Sequence, residues 1–177
     1  MPLVLARPLA LDARTRFSAA SLYTRGGIAA LAMIGALFVA LRLSPAGNNP
    51  DQRFLRDLAA MEGLERVAQQ SFNEAINQFG SHQLTTSEVA QRIDSEVLPR
   101  WFLIQRTVQK DRVADDSKLK PLWELIDDYS ESRMAAFQLF ESGYRQGRAA
   151  DFRAAQAKLD QGNVDLKLIS DLRQRPK

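Results

Sequence analysis

Cysteine is absent from all 177 residues. This excludes disulfide frameworks, thiolate metal sites, covalent haem attachment and cysteine nucleophiles, while leaving the redox compartment open. Histidine is nearly absent too. His82 stands alone, so no His-pair zinc or di-iron site of the usual kind can be assembled, and any Ser-His-Asp triad would have to be built on that ring. The chain also lacks a G-x-S-x-G elbow, an H-E-x-x-H or E-x-x-H metal helix, a P-loop and a C-x-x-C-H run. Its carboxylate doublets, Asp115–Asp116 and Asp127–Asp128, are adjacent residues, which diverge on a helix and cannot share one substrate as a catalytic pair. The reading is therefore a non-enzyme with no catalytic residue, no metal ligand and no cofactor.

Unbalanced charge is missing from most of the chain. Five arginines against Asp12 give residues 1–42 a net +4, whereas 19 basic and 20 acidic residues leave 43–177 at −1. The basicity belongs to the N-terminal segment, and no Lys/Arg run interleaved with aromatics comes after it, so no nucleic-acid partner is expected. What stands out instead is one apolar run. From Gly26 to Leu41 sixteen residues carry no charge, bracketed by Arg25 and Arg42 and extended by Leu22, Tyr23 and Leu43. About twenty helical residues cross a hydrocarbon core of roughly 30 Å, with terminal arginines snorkelling and tyrosine at the interface. Residues 22–43 thus read as a single transmembrane signal-anchor helix. A cleavable signal peptide fits less well, because Arg42 interrupts the end of the run and the leader is long. Residues 1–21 read as a short cytoplasmic leader, which places the chain beyond the span in the periplasm; an Arg-rich, nearly acid-free leader also fits a mitochondrial presequence. The Ala/Arg/Leu-heavy composition favours a bacterium and its inner membrane.

Residues 44–50 are dense in Pro, Gly and Asn and read as a linker. Beyond them, 51–175 has helical period throughout and no competing strand pattern. Helix one, 51–80, carries Phe54, Leu58, Met61, Ala68, Phe72, Ala75 and Phe79. Helix two opens at Thr85 with Glu88 completing a capping box and runs to about Arg112 through Val89, Ile93, Val97, Trp101, Ile104 and Val108. Helix three starts at Asp115–Ser117, with Leu119, Leu122, Ile126, Tyr129, Ala136 and Phe140 on its stripe. Helix four takes Phe152, Ala155, Leu159, Leu166 and Ile169. Four such helices with short connections give an all-α architecture: one membrane helix followed by an antiparallel up-down-up-down four-helix bundle.

The stripes break in an organised way. The alternating spacing puts Glu65 between Met61 and Ala68, and Arg133 between Tyr129 and Ala136, while Pro99 and Gly162 fall near the middle of helices two and four. Aligned by their ends, these four form one buried polar layer. Pro99 leaves the carbonyl of Ser95 without its usual donor, and the Arg133 guanidinium, paired with Glu65, is expected to satisfy it. Such a layer fixes register, as buried polar residues do in coiled bundles, or else surrounds a small ligand.

Glu96-Val97-Leu98-Pro99-Arg100-Trp101, then Tyr129 with Arg133, then Gly162-Asn163 carry a resemblance between Asp94 and Leu172. The spacing resembles helical extramembrane segments attached to some bacterial membrane proteins of the rhomboid family. The resemblance covers less than half of the chain and implies an envelope accessory domain. Nothing catalytic carries over, since the protease core, with its serine in a Gly-x-Ser-Gly context, has no counterpart here. The expected function is a membrane-anchored interaction or scaffold subunit of a cell-envelope complex. Its expected partners are the membrane and another envelope protein, with homo-oligomerisation left open. The alternative is a ligand-sensing bundle that resembles the helical input domains of chemoreceptors and signals through a partner membrane protein.

Overall fold

The structure, a computed structural model, describes residues 49–174. The expected leader, the apolar segment 22–43 and most of the linker lie outside them. Among the described residues every regular element is helical, and no helix is long and apolar enough to cross a membrane.

Helix α1 spans Pro50–Gly80. Asn49 caps it, its side chain accepting from the Asp51 N–H at 3.1 Å, and Pro50 occupies the first turn, where a missing N–H costs nothing. Phe54, Leu58, Met61, Ala68, Phe72 and Ala75 form its buried stripe, interrupted by Glu65. After the turn at Ser81–His82, where His82 is exposed and adopts a left-handed φ of 62°, Thr85 and Glu88 make the expected capping box. The second rod is then built in three parts. Helix α2 is Thr86–Arg92, a π-helical segment covers Ile93–Val97, and α3 is Leu98–Lys110. Helix α4, Lys120–Gln146, ends on left-handed Gly147, whose N–H reaches the Gly143 carbonyl at 2.8 Å. Helix α5 is Ala149–Gln174.

Two boundaries differ from expectation. The second rod stops at Lys110 rather than Arg112, and α4 begins at Lys120 rather than near Ser117. The reason is local chemistry. Ser117 accepts from the Leu119 N–H at 3.0 Å and donates to Asp51 at 2.7 Å, so its hydroxyl ties the connection to the start of α1. Val113 is buried in that connection and holds it against the core.

Pro99 explains the π segment. Its ring cannot sit under an undistorted α-turn and it has no N–H, so the chain accommodates one wider turn, closed by the Leu98 N–H on the Ile93 carbonyl. The guanidinium that caps this distortion is Arg100, donating to the Glu96 carbonyl. Arg133 does not serve that purpose, because it is engaged elsewhere.

Helix α4 is the hub. It packs against both halves of the second rod and along the length of α5, while α1 packs on α2, the π segment and α3. The core runs through all of them. Trp101, Phe54, Phe137, Leu58 and Ile93 are among its fully buried side chains, each adding about 1.5–3 kcal/mol by burial. The backbones of α1 and α5 scarcely approach each other. The bundle is therefore tight on three edges and loose on the fourth.

Candidate functional site

Glu65 lies on the inner face of α1, 7% exposed. Its Oε1 accepts a hydrogen bond from the Tyr129 hydroxyl of α4, and its Oε2 has no partner. Burial pushes its carboxyl from the ordinary 4.5 up to about 7, against the opposing influence of the Tyr129 bond and the Arg133 charge. Tyr129 is held well above its ordinary value by its own burial and by Glu65.

Arg133 follows Tyr129 by one turn, on the same face, and is 5% exposed. Its guanidinium carbon lies 5.1 Å from the Tyr129 ring centroid, a cation–π distance, and Nη2 donates to Asn163 Oδ1 of α5 at 2.9 Å. Glu65 and Arg133 make no direct ion pair, and Arg133 Nε is unpartnered. The expected pair is thus replaced by a relay through Tyr129. Diagonal helices stand too far apart for the two charges to meet, and a phenol fills the gap.

Gly162 faces the same cluster. A Cβ there would lie 3.4 Å from Arg133 Nε and 3.5 Å from Tyr129 Cδ2, ordinary van der Waals distances, so the glycine adjoins the cluster without being required by it. Pro99 stands apart. It is exposed, and the link from its helix to the polar cluster is Trp101, which meets Tyr129 edge-on at 5.9 Å and stacks on Phe137 at 5.8 Å. Of the four residues expected in one layer, Glu65, Arg133 and Gly162 converge around Tyr129, and Pro99 acts on the backbone outside it. Sequence reasoning missed the polar role of Tyr129, which occupies an ordinary stripe position. It also missed the role of Asn163, although that residue directly follows the singled-out Gly162.

A narrow cleft opens beside Glu65. Leu58 and Met61 of α1, Ile104 of α3, Ile126 of α4, and Leu166 and Ile169 of α5 wall it with apolar atoms, joined by Tyr129 and Ser130. Its free volume of about 10 Å³ holds roughly one water-sized group. Glu65 is the one charged residue in its lining.

A second polar cluster lies towards the end of the bundle where α1 begins. Asp111 is 1% exposed, yet close to the surface, and neither carboxylate oxygen has a hydrogen-bond donor. Burial raises its carboxyl, and the neighbouring Asp57 raises it further, while Lys110 and Arg53 pull the other way. Among the described residues no group of three or more His, Cys, Asp or Glu is disposed to hold a metal ion.

No protein family, curated protein or solved structure matches this chain.

Proposed function

We propose that the chain is a single-pass, N-in protein of a bacterial inner membrane whose helical bundle stands in the periplasm and binds another envelope protein as an accessory or scaffold subunit. One observation carries the interaction reading. Phe102 and Leu103 are adjacent on the outer face of α3, 60% and 47% exposed, near the exposed Pro99. A phenylalanine displayed next to a leucine on the rod that Pro99 distorts is an apolar contact surface, of the kind that marks partner sites more often than scattered single residues do. The apolar run 22–43 supports the anchor, and the resemblance to rhomboid-attached helical segments supports an accessory role.

The test is site-specific crosslinking in intact cells, with a photoreactive side chain at position 102 and a control at the exposed Lys158 of α5. Position 102 is expected to give a discrete adduct that position 158 does not. Equal adducts from both positions, or none from 102, would overturn the interaction surface. A C-terminal tag accessible to protease in spheroplasts is the expected topology, and a protected tag reverses it.

A further inference from the structure

Helix α5 is apolar on two faces. Its inner face buries Ala155, Leu159, Leu166 and Ile169. On its outer face Ala150, Ala154, Ala157, Gln161, Val164 and Leu168 follow one another by alternating steps of four and three, and all are exposed, Val164 at 53% and Leu168 at 45%. That is the spacing of a helix–helix seam. Within its own bundle α5 packs along α4 and scarcely approaches α1, so no element among the described residues covers this stripe. The stripe is small at one end and bulky at the other, with alanines before Gln161 and Val164 and Leu168 after it. Gln161 turns its amide N–H onto Asp165 of its own helix at 3.1 Å. One flank of the stripe carries Arg153, Asp160 and Lys167 at intervals of seven residues, followed by Asp171, and all four are exposed. Asp160 accepts from Gln156 at 2.9 Å, and none of the four forms an ion pair among the described residues.

We propose that this face pairs with the same face of a second copy of the chain, the two α5 helices running antiparallel about a two-fold axis. An isologous contact needs a surface complementary to itself, and reversal of the helix supplies that here. With Leu168 set level with the second copy's Ala157, the bulky end of each stripe lies on the small end of the other, and Val164 meets the second copy's Gln161. The two-fold also brings the charged flanks together, and their signs select this register. Arg153 comes within about 1.5 Å of the level of the second copy's Asp171, and Lys167 within about 3 Å of the level of its Asp160, at a rise of about 1.5 Å per residue. By symmetry each pair occurs twice, and opposite charges beside a seam set orientation and register more than affinity. Sliding one helix by a heptad puts Arg153 beside Lys167 and Asp160 beside Asp160, like against like. A parallel in-register pair sets alanine against alanine and turns the charged flank away from its counterpart.

The chain has no cysteine, so introduced thiols report the pairing without background. The full chain carrying Ala157→Cys and Leu168→Cys together is oxidised with copper phenanthroline in intact cells, and its mass is read on a non-reducing gel. The two thiols stand about 16 Å apart along one helix, far beyond the reach of a disulfide, so they bond only between copies. A covalent dimer is expected from the double variant and none from either single variant. Dimers from the single variants would overturn the antiparallel pairing. A double variant that stays monomeric overturns the proposal, whether the stripe is then bare, covered by residues 22–43 or held by another protein. Sedimentation of the full chain in a non-ionic detergent, over a range of concentration, gives the second readout. Lys167→Asp is expected to weaken the dimer roughly tenfold, and adding Asp160→Lys is expected to restore it. Both positions are exposed, so neither change disturbs the core. A chain monomeric throughout, or a charge swap that fails to restore pairing, overturns the proposal. Adducts between two copies contain this chain alone, which tells them apart from an envelope partner captured at Phe102, and neither outcome decides the other.

Discussion

Tyr129 donates its hydroxyl to Glu65 across 64 positions of sequence and offers its ring to Arg133 one turn further along its own helix. The tyrosine therefore bridges an acid and a base that do not touch. Tyr129 and Arg133 both act on Glu65, and Glu65 and Arg133 both act on Tyr129, which gives the site measurable signatures.

The first signature is a pH dependence of stability. The folded state holds the Glu65 carboxyl at about 7 against an ordinary 4.5, so the folded chain binds its proton more tightly than the unfolded one. The associated stability is fully present below about 4.5, declines as pH rises, and is lost above about 7, a difference on the order of 3 kcal/mol. Denaturant unfolding of wild type and Glu65→Gln across this window is the check. The variant is expected to lack that decline and to be the more stable chain at about pH 8.

A second signature separates the phenol from the guanidinium. Tyr129→Phe removes the donor to Oε1 and is expected to cost about 1–2 kcal/mol, moving the Glu65 transition to higher pH. Arg133→Met leaves Asn163 Oδ1 without its donor and removes the favourable charge, with a similar cost and the same direction of shift. If the double variant costs the simple sum of the two in a double-mutant cycle, Tyr129 does not couple the acid to the base.

The glycines give opposite expectations. At Gly162 a Cβ would make ordinary contact with Arg133 and Tyr129, so Gly162→Ala is expected to stabilise α5 by up to about 1 kcal/mol through helix propensity. At Gly143 a Cβ would come within 3.1 Å of the Phe152 ring, which also packs edge-on against Tyr144 at 4.9 Å. Gly143→Ala is therefore expected to destabilise by about 1–2 kcal/mol despite the same gain in propensity. Chemical denaturation of the two single variants decides both.

Asp111 is raised by burial and by Asp57, so it too favours the folded state when protonated and withdraws that contribution as pH rises. Asp111→Asn keeps the shape and removes the repulsion from Asp57. The variant is expected to lose less stability than wild type between acid and neutral pH, as read from its unfolding midpoints.

Much of the fold was legible because local signals agreed with it. Asn49–Pro50 and Thr85 with Glu88 mark helix starts that the structure places within a residue or two of expectation. Glu65 and Arg133 were conspicuous as charges on otherwise apolar stripes. Their pairing was not legible, because spacing along a helix reports which face a residue occupies and not how far apart two diagonal helices stand. Tyr129 was hidden for the opposite reason: an aromatic on a core stripe looks the same whether or not its hydroxyl has a partner. Asp111 stands just past the end of a rod among exposed charges, and only tertiary packing seals it. The loose edge of the bundle had no sequence signal that the stripes could reveal.

The π segment had one. Along α1 the buried stripe advances in alternating steps of four and three residues, and α4 does the same through Arg133. In the second rod, Val89, Ile93, Val97 and Trp101 advance by three successive steps of four. Each such step over-rotates an α-helix by about 40°, and the wider turn at Ile93–Val97 absorbs the surplus. The rod thus stores one spare residue of slack. Removing a single residue between 93 and 97 would restore alternating steps of four and three and still leave Trp101 facing Tyr129, with Pro99 then accommodated by a kink rather than by the wider turn. The same deletion in the middle of α4 would swing everything beyond it by about 100° and scatter the aromatic core. Among the described helices, spare length of this kind lies at Ile93–Val97.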